Sequence, residues 1–350
     1  MTSRVALVLG IALLIGAQAL ASFVLAPMRG ALTPHKDVYA ALAPGEFAGT
    51  LMLGGFRGLA CDLLWMRANT AKDRGRYYES IALGKAIVQI QPRFEQIWEY
   101  LAWDMAYNIA AEVEDSAGKW SWFLAGLDID LTGIERNPQS ERLVRHLAWM
   151  FHHKGDTFRD EIERTDFAPR IIPLIARINR DLPPERQLPL PPAGAGWSNF
   201  RYSELCYRAT VRVAELNRLR LPPYVRRMIP IGIERDGNHL RNRGQHLAAL
   251  RRYLASLAEW DRALAWSTAP EQVGDVDFDV DMNREMCEHN IGRLVRKIEL
   301  LAERLADDPA HAGRLAKAVQ QRDWDGVTRE LDAGGWKTAT AGGRIRWLDE

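Results

Sequence analysis

The fold class is decided by residues 75–92, which read GRYYESIALGKAIVQIQP. Apolar side chains recur there at spacings of three and four, as they do on one face of an α-helix. Gly75 precedes the apolar run and suits a turn, whereas Pro92 follows it and prevents the helix from continuing. These residues therefore predict one helix bounded by a turn glycine and a closing proline.

A second stretch repeats this pattern further along the chain. It begins at Trp98 and ends at Asn137-Pro138. Its closing proline follows Pro92 by 46 residues, which is longer than the ~34 residues of the best-known helix-pair repeat. We therefore expect an insertion in this unit, within residues 112–118.

A third stretch begins at Leu147-Ala148 and continues through Phe151 to Gly155. These intervals match the leucine, small, aromatic and turn-glycine positions of the tetratricopeptide (TPR) repeat, a pair of antiparallel helices. Because one helix pair cannot bury its apolar face alone, such pairs stack and leave a concave groove. The predicted fold is all-α: stacked TPR-like hairpins in an α-solenoid, followed by a C-terminal helical region.

The resemblance extends to longer motifs between residues 50 and 156. Together they resemble a family of uncharacterised bacterial membrane-anchored TPR-like repeat proteins. The resemblance implies an amino-terminal anchor and a helical-repeat body, and it carries over no catalytic residue. The motifs are GGFRGLA (54–60), DLLW (62–65), GRYY (75–78), QPRF (91–94), AWDMAYNI (102–109), KWSW (119–122), NP (137–138) and LAWMFHHK (147–154).

The composition excludes several classes of protein. The chain has 350 residues, of which 47% are hydrophobic and 26% charged, and its formal net charge is +1. These values are those of a globular protein and exclude wholesale disorder. The cysteines Cys61, Cys206 and Cys287 lie far apart without a Cys-x-x-Cys pair, which argues against a disulfide framework or a cysteine-built zinc site.

An apolar run from Val5 to Pro27 begins the chain. As a helix, the run would extend roughly 34 Å, enough to cross a bilayer core about 30 Å thick. One reading is an uncleaved transmembrane signal anchor. The other is a signal peptide that is cleaved after Ala19-Leu20-Ala21, but the apolar run continues past that site. The anchor is the favoured interpretation.

The orientation of this anchor follows from the residues that flank it. Arg4 lies on one side, and Arg29 and Lys36 lie on the other, so the positive charges nearly balance. A very short leading tail usually stays in the cytoplasm. We therefore predict a single-pass protein of the inner (cytoplasmic) membrane, with its body on the extracytoplasmic side.

Changes in composition divide the chain into six predicted segments. A segment rich in proline, residues 182–196, is the most marked internal boundary. The segments are a transmembrane signal anchor (1–28), a linker (29–45), TPR-like repeats (46–181), a Pro-rich linker (182–196), a C-terminal helical region (197–333) and a tail (334–350).

Histidines offer one set of candidate metal ligands. His146 and His153 are seven residues apart and share a helix face, with His152 and Asp156 close in sequence. No His-Glu-x-x-His motif is present, and histidines near a helix end also have structural roles. We expect no cofactor and keep His146 and His153 as weak metal candidates.

Aspartates alternate with apolar residues between positions 275 and 281. Counted from Asp277, Glu288 falls at the twelfth position of a calcium loop, but Met282 occupies the place that requires glycine. The alternative is an extended acidic segment in which Asp281 or Asn283 caps the next helix.

Positive charge is concentrated in residues 201–252, which hold twelve arginines and four acidic residues. A solvated helix face explains this bias in ordinary terms. The functional alternative is a surface that binds anionic lipid headgroups or an acidic partner. Nucleic acid is not expected as the partner of an exported body. The residues selected from this run are Arg226, Arg227, Arg241 and Arg243.

The predicted function is that of a membrane-anchored, non-catalytic scaffold that binds a protein or peptide partner at the cell envelope. Large aromatic side chains suit such contacts because they bury much area with few rotatable bonds. The alternatives are an anchored envelope enzyme with a metal site of histidines and carboxylates, and a structural subunit of a larger membrane complex. The candidate partner-binding aromatics are Trp98, Trp103, Tyr107, Trp120, Trp122 and Trp149.

Overall fold

A computed structural model describes residues 56–158, 162, 167–190, 198–269 and 279–336. The described residues are all-helical and contain no strand, which confirms the all-α prediction. They fall into two compact units that divide between Asn137 and Pro138. The stacking of the hairpins into a solenoid stays a prediction.

The first unit consists of consecutive helices joined by short turns. Helix α1 packs against α2 and α3 packs against α4, while α2 also contacts α3. Helix α2 occupies the span predicted from residues 75–92, and the break between α3 and α4 falls within the predicted insertion. The helices are α1 (Phe56–Asp73), α2 (Tyr77–Ile90), α3 (Glu95–Trp103), which continues as a π-helix (Asp104–Ile109) and a short α-turn (Ala110–Glu112), and α4 (Ser116–Arg136).

Glycines on α4 allow it to approach α3 closely. A Cβ added to Gly126 would lie 2.7 Å from the carbonyl oxygen of Ala102, and one added to Gly133 would lie 2.9 Å from Cβ of Trp98. Both distances are shorter than any real contact, so larger residues would push the helices apart. Small residues thus lie where α3 and α4 cross.

The second unit continues the same arrangement with longer helices. Each of α7 to α11 packs against the next helix along the chain, and α7 also packs against α5. Tyr253 and Trp260 on α9 are fully buried in the core of this unit. The helices are α5 (Glu141–Trp149), which continues as a π-helix (Met150–Lys154), α6 (Phe167–Arg180), α7 (Asn199–Leu216), α8 (Pro223–Asn242), α9 (His246–Ser267), α10 (Val280–Leu305), α11 (Pro309–Gln320) and α12 (Trp324–Asp332).

The Pro-rich residues 182–196 do not separate the two units. Helices α5 and α7, which lie on either side of this segment, are joined by buried hydrogen bonds. The Ser203 hydroxyl donates to the carbonyl oxygen of Ala148 (2.8 Å), and the Asn199 amide donates to that of Phe151 (3.1 Å). The structure therefore places the division at Asn137–Pro138, because helix packing and not composition decides which elements form one core.

Some predicted segments lie outside the described residues. These are the anchor (1–28), the linker (29–45), most of the tail and the acidic residues 270–278. Among the helices of the described ranges, none combines the length and the hydropathy needed to cross a bilayer. The cap of α10 is described, and it is Asp279, whose carboxylate accepts from the backbone N–H of Met282 (2.8 Å). The cap is therefore not Asp281 or Asn283, because the helix begins at Val280.

The turns between helices use one hydrogen-bonding pattern with different residues. At the end of α1, Arg76 N–H donates to Ala71 and Gly75 N–H donates to Lys72, with Gly75 at φ +72°. The end of α7 has the same paired bonds, but the left-handed position is held by Arg218 at φ 56°. This C-terminal motif favours glycine, because a Cβ makes positive φ unfavourable.

We predict opposite effects of substitutions at these two positions. Nothing lies within 4 Å of a Cβ added to Gly75, so Gly75→Ala changes only the backbone energy and should cost about 1 kcal/mol. Arg218 is exposed, and Arg218→Gly should stabilise the chain by about 0.5 kcal/mol. Urea denaturation monitored by circular dichroism measures both changes. A destabilised Arg218→Gly variant would contradict the assignment of this turn.

Candidate functional site

Two π-helical segments occupy equivalent positions in the sequence. Asp104–Ile109 follows Leu-Ala-Trp at residues 101–103, and Met150–Lys154 follows the same tripeptide at 147–149. The offset is 46 residues, the spacing of the two closing prolines. In the second segment the N–H of Gly155 donates to the carbonyl oxygen of Met150, five residues earlier (2.9 Å). Because single π-turns are rare and occur frequently at functional sites, these segments are candidates for function.

Each π-helical segment carries a stacked pair of rings beside its tryptophan. Trp103 stacks on Tyr107 with ring centroids 5.7 Å apart and planes 15° apart. Trp149 stacks on His153 at 4.9 Å and 9°. The exposed fractions of the two tryptophans are 37% and 38%. We call these pairs the two aromatic stacks; each presents an indole that is both ordered by its neighbour and accessible to solvent.

A buried carboxylate and a lysine lie next to the first aromatic stack. Asp104 is fully buried, and its Oδ1 atom lies 3.4 Å from Nζ of Lys72. The same ammonium lies 4.9 Å from the ring centroids of Tyr100 and Trp103. Lys72 therefore compensates the charge of Asp104 and contacts the ring faces, an arrangement that is favourable for a cation.

The Tyr100 ring is held in place from two sides. Trp65 packs against it edge to face at 4.9 Å, and its hydroxyl is 3.1 Å from that of Ser80. Burial raises the pKa of Tyr100; the hydrogen bond with Ser80 lowers it and the nearby charge of Asp104 raises it further, so the net shift is upward. The phenol is therefore a neutral hydrogen-bonding group at physiological pH.

The remaining candidate aromatics differ in accessibility. Trp98 is only 5% exposed, and its indole N–H donates to the carbonyl oxygen of Pro92 (2.9 Å), so its role is in the core. Trp120 stacks on Phe123. Trp122 packs edge to face against Tyr78 at 5.6 Å. Tyr78 is an exposed aromatic that sequence reasoning missed, although it stands beside Tyr77 in the quoted repeat.

Helix α1 adds an exposed apolar stripe. Leu59, Leu63 and Met66 lie four and three residues apart and are all exposed. Residues at these spacings share one face of a helix. Sequence reasoning had not selected them, although their spacing signals an apolar face.

The histidines of α5 and its π-helical extension do not form a metal centre in the described residues. His146 is buried, and the ring of His153 lies against Trp149. Within the described ranges, no group of three or more histidine, cysteine, aspartate or glutamate side chains is arranged to hold a metal ion. Because its ring packs on the face of the Trp149 indole, His153 has a structural role.

His152 occupies a buried position that disfavours its protonated form. It is 4% exposed and its ring lies 5.5 Å from that of Phe200, edge to face. Burial is the main cause that lowers the pKa of His152, the charge of Arg235 adds to it and Asp156 opposes it in part, and the net result is a pKa of about 4. His152 is therefore neutral at physiological pH.

The arginine-rich helices α7 to α9 contain a buried ion-pair network, which we define as Glu204, Arg208, Asp236 and Arg252. The Arg252 guanidinium lies 2.5 Å from Glu204 and 2.7 Å from Asp236. Arg208 lies 2.9 Å from the second oxygen of Glu204. The Ser198 hydroxyl donates to Asp236 (2.5 Å). Each carboxylate is thus met by at least one guanidinium, as buried charge requires.

A second ionic cluster joins α8 to α10. The guanidinium of Arg293 forms two hydrogen bonds of 2.6 Å with the two oxygens of Glu234, and Nζ of Lys297 lies 3.1 Å away. Burial raises the pKa of Glu234, but the hydrogen bonds and charges of Arg293 and Lys297 outweigh this effect and lower it overall. The carboxylate therefore stays ionised, and the amide oxygen of Asn238 links Lys297 to Tyr253.

The four selected arginines are not one exposed patch. Arg241 is only 7% exposed and donates to the amide oxygen of Asn242 (3.2 Å). Arg227 is half-buried, donates to Asn283, and has its pKa lowered by burial. Arg226 is half-buried, whereas Arg243 is exposed. Most of the arginines in residues 201–252 are exposed, and only a minority pair with buried carboxylates inside the helical array.

We predict that loss of one network carboxylate is strongly destabilising. Glu204→Gln leaves Arg252 and Arg208 without their shared carboxylate, and we expect a loss of about 3 kcal/mol in the free energy of unfolding. The matched control is Glu215→Gln on the same helix. Glu215 is 61% exposed and pairs with Arg226, so its loss should cost about 0.5 kcal/mol. Equal losses in the two variants, measured by urea denaturation, would show that the network is not energetically coupled.

We predict that His152 makes stability depend on pH between its folded and unfolded pKa values. The unfolded chain binds the proton near pH 6.5 and the folded chain only near pH 4, so stability contributed by neutral His152 is present above pH 6.5 and is lost as the pH falls. The difference approaches roughly 3 kcal/mol at pH 4. His152→Gln should flatten the pH dependence of the free energy of unfolding, measured by urea denaturation at a series of pH values, by this amount. An unchanged pH profile would contradict the prediction.

Comparisons with known proteins give no relative for this chain. No family model matches it, and neither the curated proteins nor the solved structures yield a match. The resemblance to membrane-anchored TPR-like proteins stays a prediction. The function is therefore inferred from the chain's own residues and their geometry.

Proposed function

We propose that the chain is a membrane-anchored, non-catalytic helical-repeat scaffold that binds a protein or peptide partner at the cell envelope. In this proposal the apolar residues 5–27 form a single-pass anchor in the inner membrane, and the helical body lies on the extracytoplasmic side. This part of the proposal rests on the resemblance of residues 50–156 to membrane-anchored TPR-like proteins. Its described helices present the surfaces to which a partner binds.

The observation that carries the proposal is the pair of aromatic stacks. Trp103 and Trp149 have large indole rings that remain accessible to solvent although each ring stacks on a neighbouring ring. Their neighbours Tyr107 and His153 hold the rings in one orientation, so little side-chain entropy is lost when a partner covers them. Exposed, pre-ordered tryptophans of this kind are typical of the residues that dominate binding energy in protein interfaces.

The position of the stacks within the repeat strengthens this interpretation. Both lie where an α-helix passes into a π-helical segment, 46 residues apart in sequence. Core packing alone favours regular α-helix, whereas a retained π-turn at the same repeat position favours a shared role at the surface. The stacks are therefore interpreted as two copies of one recognition element.

Two further surfaces agree with a scaffold near a membrane. The stripe of Leu59, Leu63 and Met66 on α1 is apolar and exposed, and α1 is the first described helix after the apolar residues 5–27. Exposed apolar faces mark contacts with proteins or membranes. Tyr78, packed on Trp122, adds an aromatic ring on α2.

In-cell photo-cross-linking tests the proposed function. We expect that a photo-reactive amino acid in place of Trp103 or Trp149 cross-links the chain to a discrete protein, identified by mass spectrometry. The matched control carries the same amino acid at Gln89, an exposed position of α2 that belongs to neither aromatic stack. Cross-linking at Gln89 should be at least about tenfold weaker, because a few residues dominate the binding energy of an interface and Gln89 is not proposed to be one of them.

Two outcomes would count against the scaffold proposal. The first is the absence of any protein adduct at Trp103 and Trp149 while the chain is folded and present in the membrane fraction. The second is equal cross-linking at Gln89, which would indicate nonspecific proximity. Adducts at every exposed position with one set of proteins would instead favour a structural subunit of a larger membrane complex.

A further inference from the structure

A pocket of about 320 Å³ lies between α7, α8 and α9 in the second unit. Four guanidiniums and two carboxylates line it, so its wall carries more positive than negative charge. These six residues come from all three helices, and the pocket is therefore held by the packed core and not by a loop. The charged lining residues are Arg208, Arg212, Glu215, Arg226, Glu259 and Arg262.

The floor of the pocket is apolar. It is formed by Val211, Ile229 and Ala263, which are all buried. A ligand that fills this space must therefore offer an apolar group beside its polar one. An apolar floor also lowers the local dielectric, which strengthens hydrogen bonds made by charged groups at its edge.

One side of the pocket is already neutralised by the protein. Arg208 lies 2.8 Å from Glu259, and Arg262 also pairs with Glu259. The side chain of Glu259 is mostly buried, and Arg208 is further linked to Glu204 of the ion-pair network. On this side of the pocket, the charges of Arg208, Arg262 and Glu259 are therefore paired with one another.

Arg212, which follows Arg208 by four residues on α7, offers a guanidinium whose hydrogen bonds do not neutralise it. Arg212 is exposed and donates to two backbone carbonyl oxygens, those of Glu185 (2.7 Å) and Gln187 (2.6 Å). Carbonyl oxygens satisfy its N–H groups and fix its position, but they carry no net charge. Within the described residues, no carboxylate forms an ion pair with Arg212.

Arg226 shows how the pocket holds a carboxylate. Its guanidinium lies 4.8 Å from the ring centroid of Trp266 and donates to Glu215 at 2.7 Å. Glu215 is a largely exposed residue, and exposed ion pairs contribute little to stability. Its carboxylate can leave Arg226 at small cost, so it acts as a resident occupant of a site that an external carboxylate can take.

We propose that this pocket binds an acidic side chain of a partner peptide, with the carboxylate between Arg212 and Arg226 and a neighbouring apolar side chain on the floor of Val211 and Ile229. The inference rests on the proposed function, since it names the chemistry of a partner of the same scaffold. A carboxylate is favoured over a phosphate because the chain's own Glu215 already occupies the place. Binding displaces Glu215 and leaves the Glu259 side unchanged.

Fluorescence anisotropy with a defined peptide tests this site. The probe is a fluorescein-labelled peptide of about nine residues that alternates glutamate and leucine, and the protein is the full chain in a neutral detergent. We expect saturable binding that weakens as the salt concentration rises, because the contact is electrostatic. The same peptide with glutamine in place of glutamate should bind at least about tenfold more weakly.

Three variants locate the binding within the pocket. Arg212→Gln and Arg226→Gln should each weaken binding about tenfold, since each removes a charge-assisted hydrogen bond. Glu215→Gln should strengthen binding about threefold, because it removes the resident competitor at the cost of only a surface ion pair. Arg201→Gln is the matched control: Arg201 is an exposed arginine of α7 that does not line the pocket.

The expected pattern is a loss with Arg212→Gln and Arg226→Gln, a gain with Glu215→Gln and no change with Arg201→Gln. Equal losses in all the arginine variants would indicate a diffuse charge effect and overturn the proposal. Displacement of the peptide by soluble dihexanoyl-phosphatidylglycerol at lower concentrations than by unlabelled peptide would assign the pocket to lipid headgroups and also overturn it. These results are independent of cross-linking at Trp103 and Trp149, so failure of the site and failure of the scaffold proposal are distinguishable.

Discussion

In the described part of the chain, most helices bury their apolar faces against a helix that is close to them in sequence. Helices α7 to α11 each pack against the next helix in sequence, and large side chains such as Tyr253 and Trp260 are buried only because neighbouring helices cover them. Burial of apolar area is the dominant favourable term in folding, whereas helix propensity contributes little. The same constraint accounts for Gly126 and Gly133 of α4, because a Cβ at either position would overlap atoms of α3.

Charge within this helical array must be satisfied where it is buried. Glu204, Asp236 and Arg252 join α7, α8 and α9 through ion pairs, and Glu234 joins α8 to α10 through Arg293 and Lys297. Pairs of this kind gain little net stability, but removal of one partner leaves a buried charge that is costly. They therefore restrict which helix faces can meet.

The surfaces proposed to act in recognition are those in which ordered side chains remain accessible. The two aromatic stacks expose indoles whose orientation is held by a neighbouring ring. The pocket between α7, α8 and α9 presents Arg212, positioned by two carbonyl oxygens, and Arg226, positioned by Trp266. In both cases the side chain is ordered before a partner arrives, which reduces the entropy lost on binding.

The sequence by itself determined the helical class, the span of α2 and the place of the break before α4, because apolar spacing, turn glycines and closing prolines act locally. Only the tertiary structure decided that α5 and α7 pack together across a Pro-rich segment, that Trp98 and Arg241 are buried while Trp103 and Trp149 are accessible, and that Arg226 faces Trp266 and Glu215. A side chain's exposure and its partners depend on which helices meet. That choice is made by packing between residues far apart in sequence, which local periodicity does not encode.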